Sequence, residues 1–317
     1  MRIAICGVWH VHTEEYYRKA AEYAEVIGVW DENEQWRKDF SQKFNIPEFD
    51  SFEDLLASDA DSVIVCAATN RHTELMLKLA EAGKNIFTEK VMTLSDEDAD
   101  RIEEAVVRNG IKFVISLPHR FLGGSRTVKK IVDSGELGKV NYMRYRNCHS
   151  GSSADWLPDH FYSAEQCGGG AMIDLGAHGM YMTDWILGAP DTYTSTFTHA
   201  CENEQALLRN QDRVEDNAIT MMGYANGCIA LNETGFVTIG CPRILEIGGD
   251  KGFVRCEDER IVKCTQSTDY QRVEVPCEEN LPLPIEQFVT DKILGDCGIA
   301  DAKRLTHMMV CAYRNQV

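Results

Sequence analysis

Short apolar segments alternate with longer segments of helical period from residue 1 to about residue 118, and no other feature of the sequence restricts the fold as strongly. This alternation is typical of βαβ units around an open parallel sheet. The apolar segments predict strands at residues 2–6, 26–30, 62–67, 85–88 and 112–116. The segments between them predict helices at about residues 13–24, 34–44, 71–82 and 95–109. Ser95 is placed as an N-cap, and Gly83 and Gly110 follow the last two helices, where a left-handed residue is favoured.

The pattern changes after His119. We expect a helix at 124–133, a strand at 139–147, an irregular polar loop at 148–166, and a glycine run at 168–170 that opens a helix. From about residue 192 to residue 275, successive strands are separated by turn residues, which predicts a mostly antiparallel sheet. Two closing helices are expected near 284–294 and 300–313. We therefore predict two domains, residues 1–118 and residues 119–317, the second of them an α+β domain on an open sheet.

The charge of the chain excludes some classes of partner. The 317 residues carry 32 basic and 50 acidic side chains, and the net charge of −18 repels phosphate backbones and anionic lipid headgroups. We therefore expect no nucleic-acid partner and no membrane partner, and no apolar run approaches the roughly 18 residues of a membrane span. The 12 cysteines include no C-x-x-C pair, which favours reduced thiols and a cytoplasmic protein.

The turn after the first predicted strand is the first candidate for ligand binding. In an open parallel sheet, this turn can hold a dinucleotide pyrophosphate on the N–H groups at the helix terminus. Of the G-x-G-x-x-G pattern only Gly7 is present, and Trp9 and His12 occupy the other two positions. Asp31 ends the second strand 24 residues after Gly7, where a carboxylate binds the adenosine ribose and repels a 2′-phosphate. This arrangement predicts NAD rather than NADP, with a tight turn and a solvated strand end as the structural alternative.

The pair His10 and His12 allows a second interpretation. Some metal-dependent hydrolases with a (β/α)8 barrel begin with an H-x-H pair at the end of their first strand. The residues available to complete such a site are His119, His149, His160 and Lys90. A barrel would continue its strand-helix alternation past residue 120, whereas this chain does not. We therefore assign no metal ligands, and a structural role for both histidines remains open.

Three further residues have the chemistry of a catalytic set. Lys90 follows the fourth predicted strand, at the edge of the sheet where ligands bind. Asp174 and His178 are four residues apart after the glycine run, so on a helix they share one face and can form a hydrogen bond. Such a carboxylate can hold an imidazole in one tautomer while the other ring nitrogen faces a substrate hydroxyl. The structural alternatives are a solvated lysine and a helix-dipole carboxylate beside a core histidine.

The order of these motifs resembles the glucose-fructose oxidoreductase, inositol dehydrogenase and MocA (Gfo/Idh/MocA) family over nearly the whole chain. The resemblance rests on the Gly7 turn, Asp31, TNRHTE at 69–74, GKNIFTEK at 83–90, and GGGAMIDLGAH at 168–178. VEDN at 214–217 and GDKG at 249–252 are similar to landmarks of the family's sheet domain. The sequence departs from the family at Val91, which replaces the proline of E-K-P, and at Asn70, which replaces the proline of A-T-P.

The resemblance implies an N-terminal Rossmann domain and a nicotinamide-dependent oxidoreductase acting on a secondary hydroxyl or ketone of a sugar, glycoside or cyclitol. It implies that Lys90, Asp174 and His178 are the catalytic residues, with His178 taking the hydroxyl proton. The predicted cofactor-binding residues are Gly7, Trp9, His10, Asp31, Thr69, Asn70, His72 and Glu89. The predicted substrate-binding residues, chosen as polar and aromatic groups suited to a sugar ring, are Arg120, Trp156 and His160.

Two alternatives to net dehydrogenation remain open. NAD could be tightly bound and recycled within each turnover, so that the net reaction is epimerisation, elimination or glycoside cleavage. The fold could also serve as a non-catalytic ligand-binding module, which the missing fingerprint glycines and the presence of Val91 in place of proline would favour. In either case the open sheet needs a cover for its outer face, which predicts a homodimer or homotetramer.

Overall fold

The computed structural model describes residues 1–317, and the chain folds into two compact units. The first comprises Met1–Ser116 and Pro282–Thr306, and the second comprises Leu117–Leu281 and His307–Val317. The sequence-based division at residue 118 placed everything beyond it in the second domain. The chain instead contributes residues 282–306 to the first unit.

The first unit is built on a five-stranded parallel sheet with the strand order β2-β1-β3-β4-β5. The strands are β1 (Arg2–Cys6), β2 (Glu25–Trp30), β3 (Ser62–Val65), β4 (Asn85–Thr88) and β5 (Phe113–Ile115). The helices are α1 (Thr13–Tyr23), α2 (Glu34–Phe44), α3 (Phe52–Ala57), α4 (His72–Glu81) and α5 (Asp96–Asn109). Every residue of β3 and β5 is buried, as expected of parallel strands that are covered on both faces.

Local sequence signals set the ends of these elements. The Ser95 side chain accepts a hydrogen bond from the Asp98 N–H at the start of α5, and Gly110 ends that helix with φ +63°. The predicted N-cap and left-handed glycine are therefore confirmed. The short helix α3 was not predicted. Its signal is a capping box, in which the side chains of Ser51 and Asp54 each accept a hydrogen bond from the other's backbone N–H.

The second unit contains an eight-stranded sheet with the order β13-β12-β11-β10-β6-β9-β8-β7. Only β6 and β9 pair in parallel, so the predicted mostly antiparallel sheet is confirmed. The strands are β6 (Val140–Cys148), β7 (Thr192–Thr198), β8 (Asn217–Gly223), β9 (Ile229–Gly235), β10 (Ile244–Gly249), β11 (Gly252–Glu257), β12 (Arg260–Thr265) and β13 (Val273–Val275). The helices are α6 (Gly123–Asp133), α7 (Ala164–Cys167), α8 (Ala177–Leu187) and α9 (Glu204–Arg209).

Two helices close the chain, α10 (Pro284–Thr290) and α11 (Ile299–Arg314). Helix α10 packs in the first unit against α1 and the edge strand β5. Its Phe288 is fully buried, with a ring centroid 5.8 Å from that of Phe87 on β4. Phe87 also packs against Tyr16 of α1, so α10 lies beside α1 on one face of the parallel sheet, which explains why this part of the chain belongs to the first unit.

Helix α8 packs against β6 and β9 and forms the inner layer of the second unit. Its Tyr181 and the Tyr145 side chain of β6 are fully buried. On β8 the buried and exposed side chains alternate, so that one face of the sheet lies against the core. None of the helices has the length and apolar character required to cross a membrane.

Candidate active site

The turn after β1 is held tightly against the neighbouring strands. Gly7 has φ +87°, and a Cβ at this position would lie 2.4 Å from the backbone nitrogen of Ala67. The Gly7 N–H donates to the Trp30 carbonyl at 2.7 Å, and the His10 N–H donates to the Cys66 carbonyl at 3.1 Å. Glycine is therefore required here both for the left-handed backbone and for the close approach to the end of β3.

Asp31 organises the same turn from the end of β2. One carboxylate oxygen accepts the Val8 N–H at 2.6 Å and the other accepts the Asn33 N–H at 2.7 Å. The residue is only 3% exposed, and this burial raises the pKa of its carboxyl although both backbone hydrogen bonds lower it. The predicted contact with a ribose stays a prediction, and the hydrogen bonds add a structural role for Asp31 in shaping the turn.

The residues present here fit a dinucleotide. The side chain of His12, the N-cap of α1, makes no capping hydrogen bond to the N–H groups of this eleven-residue helix. A helix N-terminus of this kind attracts phosphate oxygens. The tight Gly7 backbone allows an anion to approach the turn closely. Trp9, predicted to contact the cofactor, is itself buried beside this turn.

A polar cluster surrounds Glu89, directly after β4. Glu89 Oε1 lies 2.8 Å from His12 Nδ1 and 3.7 Å from His10 Nδ1, and it accepts a hydrogen bond from the Tyr16 hydroxyl. Glu89 Oε2 accepts the Lys90 N–H at 2.9 Å. Burial raises the pKa of the Glu89 carboxyl, but the opposite effect of His10, His12 and Lys90 is larger, so the pKa lies well below its ordinary value. Glu89 is therefore a buried carboxylate at neutral pH.

The segment after Glu89 is fixed by His72, at the start of α4. Its Nδ1 lies 3.1 Å from the Val91 carbonyl and its Nε2 lies 3.0 Å from the Ala67 carbonyl. Burial lowers the pKa of His72 although these carbonyls raise it. Both ring nitrogens thus face the backbone, so the geometry gives His72 a role in placing the Lys90 segment. The Lys90–Val91 peptide is cis, and the Lys90 side chain is almost fully buried.

Two other predicted cofactor residues precede His72. Thr69 and Asn70 lie in a short 3-10 turn, Thr69–Arg71, that follows β3. Thr69 is buried and Asn70 is exposed. Both follow the carboxyl end of a parallel strand, as Gly7, Asp31 and Glu89 do, so all five lie at one edge of the sheet.

In the second unit, the predicted pair Asp174 and His178 lies on a helix whose first part is π-helical. The π turn covers Met172–Gly176 and continues directly into α8. Such turns often occur at functional sites because they redirect side chains within a helix. The glycine run that precedes it is tightly packed, since a Cβ on Gly170 would lie 2.0 Å from the Glu215 carbonyl oxygen.

His178 belongs to a cluster that sequence reasoning missed in part. Its Nδ1 lies 2.7 Å from the Tyr181 hydroxyl, and its ring stacks on His119 with centroids 4.1 Å apart. The His119 backbone N–H donates to the Tyr181 hydroxyl at 3.1 Å, and the ring nitrogen His119 Nδ1 lies 2.6 Å from the Tyr145 hydroxyl. Burial raises the pKa of both phenols, so they stay protonated. Tyr181, three residues after His178 on a helix, could have been found from spacing. No sequence signal marks Tyr145.

The three predicted substrate residues have different surroundings. The Arg120 side chain is buried, and it donates to the Tyr181 carbonyl at 2.9 Å and to Asp184 at 3.2 Å. Trp156 is 54% exposed, with its ring 4.6 Å from that of His149. His160 lies in a 3-10 turn, Asp159–Tyr162. Only Trp156 therefore presents a large exposed face, whereas Arg120 is engaged in a buried ion pair.

Comparison with known proteins identifies both units. Residues 1–116 match the oxidoreductase family with an NAD-binding Rossmann fold, and residues 125–255 match the GFO/IDH/MocA C-terminal domain. Together these two matches cover most of the chain. They confirm the predicted family and the predicted nicotinamide cofactor class.

Individual relatives agree with this family. The chain is 23% identical over 266 residues to myo-inositol 2-dehydrogenase of Thermotoga maritima, covering 82% of this chain and 76% of that protein. It is 29% identical over 178 residues to scyllo-inositol 2-dehydrogenase (NAD(+)) of Bacillus subtilis, covering 56% of this chain and 49% of that protein. The crystal structure of GenD2 from gentamicin A biosynthesis in complex with NAD has a TM-score of 0.80, 21% identity, and coverage of 99% of this chain and 93% of that one. This chain belongs to the GFO/IDH/MocA family of oxidoreductases, and its first unit is the NAD-binding Rossmann fold of that family.

Proposed function

We propose that this protein transfers a hydride between NAD and a secondary hydroxyl or ketone carbon of a sugar, glycoside or cyclitol. The observation that carries the proposal is the buried imidazole of His178, held at Nδ1 by the Tyr181 hydroxyl and stacked on His119. An imidazole fixed in this way can exchange a proton with a substrate hydroxyl. The names of the inositol dehydrogenase relatives support a polyhydroxylated ring as the substrate.

Each catalytic role follows from the chemistry of its residue. His178 takes or returns the hydroxyl proton at Nε2, because Nδ1 faces Tyr181. Asp174 orients the substrate hydroxyl, and the Lys90 ammonium stabilises the negative charge that develops on the substrate oxygen. Bound NAD supplies the hydride acceptor or donor. Positioned acid-base chemistry of this kind is worth about 10²–10⁴ in rate.

The cofactor is held by the turn after β1 and the neighbouring strand ends. We assign Gly7 to the close backbone approach, Trp9 to the nicotinamide half, and Asp31 to the adenosine ribose, while His10 and Glu89 border the same turn. Thr69 and Asn70 flank the same edge of the sheet. Because the Asp31 carboxylate repels a 2′-phosphate, NAD is preferred to NADP. His72 acts indirectly, through the backbone carbonyls of the segment that carries Lys90.

The substrate residues are assigned by their chemistry. The exposed indole of Trp156 offers an apolar face to the C–H groups of a sugar ring, and His160 offers a hydrogen-bonding group on the same loop. Arg120 is assigned to positioning of Tyr181 through its bond to the Tyr181 carbonyl. All 12 cysteines are free thiols, which supports a reducing, cytoplasmic compartment.

The test is a screen for nicotinamide reduction with NAD against inositols, glycosides and free sugars. A substrate found in this way is then used with His178→Gln and Lys90→Met, each of which should lower kcat by about 10²–10⁴. His199→Gln is the matched control, because His199 is exposed and its ring contacts the Arg213 carbonyl through Nε2 rather than any predicted site residue. Full activity in both active-site variants would contradict the assigned roles.

The screen also separates net oxidation from a recycled cofactor. Net dehydrogenation consumes added NAD in proportion to the product formed. A recycled cofactor would give a changed sugar without NADH accumulation, together with nucleotide that copurifies with the protein. Failure to bind NAD or to convert any polyol would favour a ligand-binding module.

We also propose that the protein self-associates through the outer face of its eight-stranded sheet. Ile219 and Met221 on β8 and Ile229 on β9 are apolar and about half exposed on this face. Leu231 lies opposite Met221 and Ile229 lies opposite Gly223, which makes an apolar patch that Glu233 borders opposite Ile219. Light scattering should give a dimer or tetramer, and Ile219→Asp should dissociate it while leaving the secondary structure intact. A wild-type monomer at micromolar concentration would contradict this proposal.

A further inference from the structure

His10, His12 and Glu89 bring three metal-ligating atoms to within 4.8 Å of one another. The two histidines lie on the turn between β1 and α1, and Glu89 directly follows β4. All three belong to the first unit. From the sequence alone we assign no metal ligands to the H-x-H pair and do not consider Glu89 as a third ligand. Glu89 lies 77 residues after His12 and is brought to the pair by the fold of the parallel sheet.

The ligand atoms have hydrogen-bond partners that a bound ion would replace. The His12 backbone N–H donates to His10 Nδ1 at 3.2 Å, and His12 Nδ1 lies 2.8 Å from Glu89 Oε1. A bound ion takes the place of these hydrogen bonds, and any proton on a ligating nitrogen is released. Neutral imidazoles and carboxylates are the forms that bind divalent transition metals.

Hydrogen bonds from neighbouring residues orient the carboxylate. Glu89 Oε1 accepts from the Tyr16 hydroxyl, which in turn lies 2.8 Å from Ser116 Oγ, and Oε2 accepts the Lys90 N–H. Outer partners of this kind hold metal ligands in place and are a regular part of metal sites. The Glu89 carboxylate is therefore preorganised from both sides.

We propose that His10, His12 and Glu89 bind one zinc ion or a similar divalent transition-metal ion. Two imidazoles and one carboxylate form a ligand set that zinc accepts with a fourth position open to water. The His12 side chain is 45% exposed, so an ion can enter from solvent and its fourth position can be filled by water. Harder ions such as Mg²⁺ prefer all-oxygen ligands and are disfavoured by the two imidazoles.

The geometry requires only small movements. Tetrahedral zinc with ligand distances of about 2.0–2.1 Å separates its ligand atoms by about 3.3 Å. The present separations from Glu89 Oε1 are 2.8 Å to His12 Nδ1 and 3.7 Å to His10 Nδ1. These two separations differ from that value by about half an ångström, and all three ligand atoms lie within 4.8 Å of one another, so movements of the side chains can complete the site.

The experiment titrates metal-free protein with Zn²⁺ by calorimetry and with Co²⁺ by visible absorption. We expect one ion per chain and a cobalt spectrum without a thiolate charge-transfer band, which separates this site from the 12 cysteines. His12→Gln should weaken binding by at least about tenfold. Because His12 is half-exposed, this variant should fold normally, which circular dichroism will verify.

His199→Gln serves as the control for adventitious imidazole binding and should leave the affinity unchanged. The proposal is overturned if wild type fails to bind either metal, if His12→Gln binds as tightly as wild type, or if the cobalt spectrum shows thiolate ligands. Because both readouts are binding measurements made without NAD or substrate, they are independent of whether the proposed hydride transfer is correct.

Discussion

Replacement of Gly7 by alanine separates two physical reasons for a glycine in the turn after β1. The first is the backbone, since φ is +87° and a non-glycine residue in the left-handed region costs about 1–2 kcal/mol. The second is steric, because the new Cβ would lie 2.4 Å from the Ala67 nitrogen, which is backbone and cannot rotate away. Overpacking of this kind costs about 1–3 kcal/mol. The expected total is about 2–5 kcal/mol.

Gly110→Ala is the matched control. Gly110 has φ +63°, but a Cβ there would meet nothing within 4 Å. This variant should therefore pay only the backbone cost of about 1–2 kcal/mol. The difference between the two variants isolates the contact with Ala67 and should be about 1–3 kcal/mol.

The assay is urea unfolding of wild type and both variants, followed by circular dichroism, together with NAD titration of the folded proteins. Gly7→Ala should have the lower urea midpoint and weaker NAD binding. Gly110→Ala should bind NAD as wild type does, because Gly110 follows the C-terminal end of α5, away from the carboxyl ends of the strands where NAD is expected. Equal midpoints for the two variants would refute the argument that Gly7 is needed for close packing against β3.

Three further predictions concern buried polar groups. Asp184→Asn should lower the free energy of unfolding by about 3–5 kcal/mol, since it leaves the buried Arg120 guanidinium without its charge partner, and Arg120→Met with Asp184→Leu should recover part of this loss in urea unfolding. Burial lowers the pKa of His72 from its ordinary value of 6.5. As the pH falls through that value, the unfolded state therefore binds more protons than the folded state, and the free energy of unfolding decreases. The decline in urea midpoint between about pH 7.5 and pH 5.5 should therefore be smaller in His72→Gln, and an unchanged decline would contradict the assigned burial effect. Asp31→Ala should raise the ratio of kcat/KM for NADP to that for NAD by about tenfold or more, as measured with any substrate from the screen, and an unchanged ratio would remove Asp31 from ribose recognition.

The sequence was sufficient for features whose causes are local. The parallel strands follow from continuous apolar runs, and the limits of α5 follow from Ser95 and Gly110. The position of α10 in the first unit depends instead on which face of the sheet the buried Phe288 can pack against, and periodicity alone carries no such information. The cluster around Glu89 likewise depends on strand order, which places Glu89 beside a turn that precedes it by almost 80 residues.

The phenol of Tyr181 can support His178 in both directions of the reaction. Its oxygen accepts the His119 backbone N–H, and because burial raises the pKa of the phenol it stays protonated and uncharged. The neutral imidazole that acts as a base at Nε2 and the imidazolium that acts as an acid at Nε2 both carry a hydrogen on Nδ1, and the Tyr181 oxygen can accept it in either state. Because the phenol is uncharged, it stabilises the imidazolium less strongly than a carboxylate would. Tyr181→Phe should therefore lower kcat in both directions and shift the pH profile, whereas a purely structural role would change stability and leave the pH profile unmoved.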